Sequence, residues 1–397
     1  MKKAFYMMAA AAIALSSCSS EETTDVAKSS NITFRSAVGF NTRGIEMTNA
    51  DGYKMTKMTV SAFDESGAEF FKNYVFSRES NGEFTSSEHP SWPNHGNLNF
   101  VAYSHSGGDW AGAAPVLKND GATIGAFSPK AEIGEQLDVV FAKGTGNKTA
   151  NEAGGLLLNF DHILSQIKIK AKHSSDTYTY QVKGIRIAYV GGSASYTFNP
   201  AKTDATKHTW TAPAAKNVVY EKVFDQAVSL TKDAIVDLTD KCNADGKVGG
   251  AMLIPQTLTV WNGTDVAANK TDDFSGKAYI SLLINVKRGT TSIYPSGDTD
   301  GSKFGWAAVA IPADAADQTT ASWVAGNKYI YTLNLTNGCG QVDPVDPGTD
   351  VNPGGADTSK PKDPNKGEKI FGKEIKFTVN VVEWKPTPDE NGTNIPM

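Results

Sequence analysis

From Ile167 to Lys172 the chain alternates strictly, with Ile167, Ile169 and Ala171 on one side and Lys168, Lys170 and Lys172 on the other. A period of two is the signature of a strand with one face in a core and one in water. The same pattern recurs in Ile32–Phe34, Met58–Phe63, Phe70–Phe76, Leu98–Tyr103 and Lys328–Leu335, where Tyr329, Tyr331, Leu333 and Leu335 share a face. Turn clusters such as Glu65-Ser66-Gly67, Ser80-Asn81-Gly82 and Ser106-Gly107-Gly108 punctuate these runs. Short alternating runs between frequent turns predict an all-β chain built as β-sandwiches. The 37 glycines and the 10% aromatic content fit that class, and long helix-period stripes are scarce.

A chain of 397 residues is long enough for two cores. The reading divides it into residues 31–150 as an N-terminal sandwich and 156–337 as a C-terminal one, with the Gly/Asn/Thr-rich stretch Lys143–Gly155 as the link. Further strands of the second block are expected at Val182–Val190, Val218–Val223, Gly250–Ile254, Ala278–Val286 and Ala307–Ile311. Residues 338–369 carry Asp343-Pro344, Asp346-Pro347-Gly348, Asn352-Pro353-Gly354-Gly355 and Lys360-Pro361. Such a stretch cannot supply a full ladder or a core, so it reads as a linker, with Asp343, Asp346 and Asp350 as solubilising charge. In the closing segment, 370–397, Ile375, Phe377, Val379 and Val381 share one face of a strand ending near Trp384. Delivered by a flexible linker, that strand can close its own second domain or pair with a sheet of another molecule.

The N-terminus has the build of an export signal. Lys2 and Lys3 precede the apolar run Ala4–Leu15, which falls short of the ~20 residues that span a bilayer. Leu15-Ser16-Ser17-Cys18 resembles the lipobox of bacterial lipoprotein signal peptidase, so residues 1–17 are the expected signal peptide and Cys18 the acylated mature N-terminus. Acyl chains on Cys18, palmitate among them, would hold the protein on a membrane surface without a spanning helix, since each buried CH₂ contributes ~0.8 kcal/mol. Residues 18–30 then form a polar tether, and its Glu21-Glu22 pair resembles a tag that sends lipoproteins to the outer face of the outer membrane. In an exported protein Cys242 and Cys339 are candidates for a disulfide, although spacing alone does not decide the pairing.

Chemistry needs convergent groups, and few converge here. A net charge of −5 argues against a nucleic-acid partner. The six histidines, His89, His95, His105, His162, His173 and His208, lack the spacing of a zinc-binding helix. Asp298-Thr299-Asp300-Gly301 has part of a calcium loop without its remaining ligands. Gly107-Gly108 and Gly191-Gly192 are not followed by the helix a phosphate loop requires. The expectation is a protein without enzymatic activity, metal or cofactor. Trp92, Trp110, Trp210, Trp261 and Trp306 leave one rival, a non-polymerising surface lipoprotein that stacks glycans on exposed aromatic faces.

Four stretches, taken in order, resemble the fimbrillin-like lipoproteins, the subunits of type V pili. They are Leu158-Asn159-Phe160-Asp161-His162-Ile163-Leu164-Ser165-Gln166-Ile167-Lys168-Ile169, Met252-Leu253-Ile254-Pro255-Gln256, Trp323–Leu333 and Ile375–Trp384; upstream, Trp92-Pro93 and Phe100–Ser104 are similar as well. The resemblance implies two tandem transthyretin-like β-sandwich domains in an outer-membrane lipoprotein that joins a fimbrium and serves cell adhesion. It also implies an arginine-specific protease as a partner, which removes a leading segment and bares a hydrophobic groove. A strand from another pilus subunit would then fill that groove, as main-chain ladders and side-chain pockets allow in β-strand addition. The cleavage candidates are Arg43 and Arg35, the uncut chain being the third outcome. Arg43 is favoured because a cut there releases Ile32, Phe34, Val38 and Phe40 together. The candidate donor is the strand carrying Ile375, Phe377, Val379 and Val381.

Overall fold

The computed structural model describes residues 31–38, 47–48, 53–106, 110, 112–203, 206–242, 249–261, 276–296, 302–313, 320–336, 338–343, 367–371 and 376–383. Cys18, Arg43, Ile375, Asp346, Asp350 and the Asp298–Gly301 turn lie outside these residues. The chain is all-β: among the described residues its one α-helix is Lys148–Asn151.

The first sheet closes on itself. Its strand order runs Phe34–Val38, Leu156–His162, Val139–Gly146, Leu98–His105, Lys57–Phe63, Glu69–Arg78 and Phe84–Thr85, then back to Phe34–Val38. Alternate residues of every strand turn inward, and Phe34, Val60, Phe76, Phe84, Phe100, Val140, Leu158 and Phe160 form the core. Lys143–Gly155 is therefore not an interdomain link. It comprises the end of a barrel strand and the short helix, whose start is capped by the Asn147 side chain accepting from the Ala150 amide at 3.0 Å. A boundary between 150 and 156 falls inside one sheet, because Val140 pairs with His162 and Phe141 with Asp161.

A second sheet, ordered His208–Trp210, Ala194–Phe198, Gly121–Phe127, Val116–Lys118, covers one wall of the barrel. It takes two strands from each of the two blocks read from the sequence, 31–150 and 156–337. Gly121, at φ 151°, lets the Phe198 carbonyl approach so closely that an added Cβ would sit 2.0 Å from it. Phe141 on the barrel meets Tyr196 and Phe198 of this sheet at ring distances of 5.2 and 5.8 Å, and the two halves thus share an apolar core.

Gln256–Thr259 pairs with Thr320–Trp323, and Met47–Thr48 with Tyr53–Lys54, as separate two-stranded sheets, and the other strands form two facing sheets around the largest core. One runs Val236–Asp237, Ser165–Lys172, Asn327–Asn334, Lys376–Glu383, with Ala251–Leu253 also on Ser165–Lys172. The other runs Val218–Ser229, Thr179–Val190, Tyr279–Arg288, Gly305–Ala310, Gln341–Val342, with Thr291–Tyr294 beside Tyr279–Arg288. Ile167, Ile169 and Ala171 point into this core as alternation requires. Lys168 does not face open water: it is buried, and its ammonium lies 3.3 Å from both Asp237 and Asp240. The segment Val236–Lys241 covers the face that the lysine pattern assigns to solvent.

Candidate functional site

The first strand plugs the barrel. Ile32, Phe34 and Val38 are fully buried, and the Phe34 ring meets Phe76 and Phe100 edge-on at 4.7 and 5.1 Å. A parallel ladder from Phe34↔Leu156 to Val38↔Phe160 holds one side of the strand. On the other side the described residues give it one ladder pair, Phe34↔Phe84. Just upstream, the Ile32 amide donates to the Pro90 carbonyl at 2.7 Å, and the Leu156 amide donates to the Thr33 carbonyl at 3.0 Å. Burying three large apolar side chains contributes about 5–9 kcal/mol before chain entropy is charged. Lifting the strand out would expose inward-facing Phe76, Phe84, Phe100, Leu158 and Phe160, a slot lined by aromatic rings. Arg35 is exposed on the outer face, yet its backbone sits in the ladder opposite Leu157.

The terminal strand lies at an edge. Lys376–Glu383 pairs antiparallel with Asn327–Asn334 over eight registered pairs, from Lys376↔Asn334 to Glu383↔Asn327. It closes its own sheet in this structure, the in-chain outcome of the two that the sequence leaves open. Phe377 stands opposite Leu333, Val379 opposite Tyr331 and Val381 opposite Tyr329. Tyr329, Tyr331 and Leu333 are core residues, whereas Val379 is 37% exposed and Val381 50%. Val382, on the opposite face, is 41% exposed. The strand overhangs its core, with full backbone pairing on one edge and incomplete side-chain burial.

The route between the two sheets departs from the linker reading. Gln341 and Val342 extend the sheet beside Ala308 and Ala307, and Asp343 is buried. Arg186 Nη1 donates to Asp343 Oδ2 at 3.2 Å, Tyr279 Oη donates to Oδ1 at 2.8 Å, and Ser281 Oγ donates to Oδ2. Arg186 also spans to Glu221 Oε2 at 2.9–3.0 Å and stacks its guanidinium 4.1 Å from the Trp306 ring centre. Burial, then the charge of Asp343, pushes the Tyr279 hydroxyl far above its ordinary pKa, which keeps it a donor. Asp343 is thus a buried structural carboxylate, not a solubilising charge. The chain returns to the same place at Gly367–Phe371: the Gly367 amide donates to the Val342 carbonyl at 2.7 Å, Val342 to Glu368 at 2.9 Å and Ile370 to Gly340 at 3.0 Å.

A polar chain crosses the junction between the barrel and its covering sheet. Tyr196 Oη lies 2.7 Å from His208 Nδ1, and His208 Nε2 lies 3.3 Å from Asp161 Oδ2, which Lys207 also contacts. Burial pushes the Asp161 carboxyl up, but the hydrogen bonds from His208 and Lys207 and the charge of Lys207 outweigh it and hold it below its usual range. The next residue, His162, turns the other way and pairs with buried Asp138 at 3.0 Å. These groups stitch sheets together. Among the described residues no three His, Cys, Asp or Glu side chains converge as a metal site would require.

The aromatic platform of a glycan binder is not presented by the tryptophans the sequence offered. Trp92, Trp261 and Trp306 are buried. Trp110 and Trp210 are half-buried against Phe127 and donate Nε1 to the carbonyls of Ala113 and Ile163. Cys242 and Cys339 are buried free thiols, so the disulfide is not formed in this structure.

A sequence profile of the family described as fimbrillin-like matches residues 41–352. A candidate cell adhesion protein from Bacteroides uniformis ATCC 8492, of solved structure, is 12% identical; the comparison covers 89% of this chain and 99% of that one, with a TM-score of 0.44. A fimbrial protein from Bacteroides vulgatus ATCC 8482 is 14% identical over 89% of this chain and 99% of that one, with a TM-score of 0.45. Comparison with curated proteins gives no significant match.

Proposed function

The chain belongs to the fimbrillin-like family, and from that premise we propose that it is a structural subunit of a type V pilus, exported as a lipoprotein acylated on Cys18 and assembled by strand exchange. An arginine-specific protease cuts after Arg43, the first strand leaves with the lipid-bearing peptide, and a strand of the next subunit enters the vacated slot. The terminal strand, with Phe377, Val379 and Val381 on one face, is the donor. The work is done by burial and backbone pairing rather than by catalysis, and the partners are other subunits at the cell surface. Two tandem domains, joined through the shared covering sheet, would carry the adhesive surface.

One observation carries this reading: a strand of few residues fills an aromatic-lined slot and is held by one full ladder and one closing pair. A replacement of about ten residues that buried about 600 Å² of apolar surface would contribute roughly 15 kcal/mol before entropy is subtracted, enough for a joint that dissociates slowly. Unheated surface extracts run on a denaturing gel test it. A ladder of polymers that collapses on boiling is the expected result. A lone monomer band from cells that have removed the leading peptide would overturn it.

A further inference from the structure

The open sheets differ in how their edges are closed. Among the described residues, the end strands Val236–Asp237 and Gln341–Val342 have two residues, and His208–Trp210 and Val116–Lys118 have three. Val218–Ser229 is long, but its pairing with Thr179–Val190 shifts register twice, and its Glu221 amide donates to the Ala131 carbonyl at 3.2 Å. Short, bulged or roofed edges are poor templates for another chain. Lys376–Glu383 has none of these protections. Its eight residues run in unbroken register against Asn327–Asn334, without a proline, and among the described residues no strand pairs with the outer edge.

The strand is also apolar on both faces. Every residue from Thr378 to Val382 is exposed. Three of the ten large apolar side chains exposed among the described residues, Val379, Val381 and Val382, fall within these positions. Val379 and Val381 stand on the face of Tyr331 and Tyr329, and Val382 on the other. A partner lying flat on the sheet would cover one set only. A strand added at the edge supplies cross-strand neighbours on both faces and pairs the outward N–H and C=O groups as well.

We propose that this edge is a homotypic interface, at which the terminal strands of two precursors pair antiparallel about a two-fold axis and join their sheets into one. An axis perpendicular to the sheet keeps the faces of the two strands aligned, so odd-numbered residues oppose odd and even oppose even. Centred on Asn380, the pairing sets Val379 against the partner's Val381 and Thr378 against the partner's Val382, with the two Asn380 amides side by side. Centring on Val379 would instead oppose Val382 to Lys376, and centring on Val381 would oppose Val379 to Glu383. The order Thr-Val-Asn-Val-Val is thus self-complementary, each exposed valine meeting a valine or a threonine methyl, and this points to a second copy of the chain as the occupant. Such a joint uses up both edges and closes at two. It needs no emptied slot, and it stands independently of the strand-exchange reading.

Sedimentation velocity on the full-length, untrimmed precursor in detergent tests the interface. One strand per copy lies at or below the low end of the ~1,200–2,000 Å² that stable interfaces bury, so dimer is expected at about 100 μM and monomer at about 1 μM. Val379→Lys combined with Val382→Lys should melt like the parent at about 1 μM and stay monomeric at about 100 μM. Mild oxidation reads the register. Asn380→Cys should cross-link into a disulfide dimer about tenfold faster than Thr378→Cys, whose position faces the partner's Val382. Monomer at the higher concentration overturns the proposal, and is the outcome expected if another segment of this chain already covers the edge. Species that grow past two, equal cross-linking of the two cysteine variants, or a dimer that persists in the lysine variant overturn it as well. The untrimmed precursor keeps its first strand in place, so these readouts do not depend on strand exchange. Absence of a polymer ladder from trimmed protein, with the dimer intact, would count against that reading alone.

Discussion

Phe34 and Phe84 face each other as the residue pair through which the first sheet closes into a barrel. Both rings are fully buried, and they come from strands of very different attachment. Phe34 belongs to the strand that a cut would release, whereas Phe84 sits in a hairpin pairing with Ser77 and Arg78 of Glu69–Arg78. Opening this one pair unzips a seam of the barrel without disturbing the other ladders.

Truncating Phe34 should therefore be costly in the precursor. Phe34→Ala removes a ring that meets two others edge-on, and a cavity of that size costs about 3–5 kcal/mol. Chemical denaturation of the purified precursor measures it. A loss below 1 kcal/mol would mean that the first strand is not part of the core.

The fold constrains one of the two candidate cleavage sites, Arg35. Proteases take their substrates as extended single strands, and the backbone at Arg35 is engaged in the ladder with Leu157. Cleavage after Arg35 must wait for the strand to leave the sheet. Brief treatment of folded precursor with an arginine-specific protease should yield a large fragment beginning at Gly44, and Arg43→Ala should abolish it. A fragment beginning at Ser36 at the same rate would show that the first strand opens freely.

Legibility followed alternation. Strands such as Leu98–His105 and Asn327–Asn334 were readable because their inward residues repeat every second position over a long run. The covering sheet was missed: Tyr196 and Phe198 alternate over too few residues, and their partners Ile124 and Ala122 lie far off in sequence. Pairing between distant segments leaves no local periodic trace, and so a boundary near residue 150 falls inside a barrel. Asp343 failed for a related reason. Its setting beside Pro344 looks like a solvated linker, and nothing near it in the chain announces Arg186 or Tyr279. Lys168 is buried against expectation because alternation tells which residues share a face but not what covers it.

The anchor at Asp343 should behave as a buried ion pair. Asp343→Leu leaves Arg186, itself 3% exposed at the side chain, with only the half-exposed Glu221 carboxylate, and a cost of about 3–5 kcal/mol is expected. Arg186→Met combined with Asp343→Leu should recover much of that loss, since no stranded charge remains. Denaturation of the two single variants and the double variant gives the coupling; strictly additive losses would show that the pair does not act as a unit.

The buried thiols set a pH limit. Burial pushes Cys242 up from 9.0 to about 12, helped by Asp237 and Asp240 against Lys222. The unfolded chain ionises this thiol near its ordinary value while the folded chain resists, so the contribution is fully present below about pH 9. It is lost as pH rises toward 12. Cys242→Ala should flatten the fall in stability over that window, and a thiol-specific reagent at pH 8 should label folded protein only at the rate of unfolding. Rapid labelling of native protein would place Cys242 at the surface.

Under strand exchange, the terminal strand would separate the precursor from the polymer most sharply. At home Val381 is half exposed at the overhanging edge, so Val381→Lys should change precursor stability by no more than about 0.5 kcal/mol. In a neighbour's slot the same position would press against the inward-facing rings of Phe76, Phe84 and Phe100, where an unpaired ammonium is costly to desolvate. The variant should fold and melt like the parent, be trimmed like the parent and yet fail to extend a polymer. It should still accept a wild-type donor at its own slot, so mixing with wild-type subunits shortens chains instead of abolishing them. Equal polymer lengths from the variant alone and from wild type would show that the side chain at 381 never enters an apolar slot, and the donor would then have to be sought elsewhere in the chain.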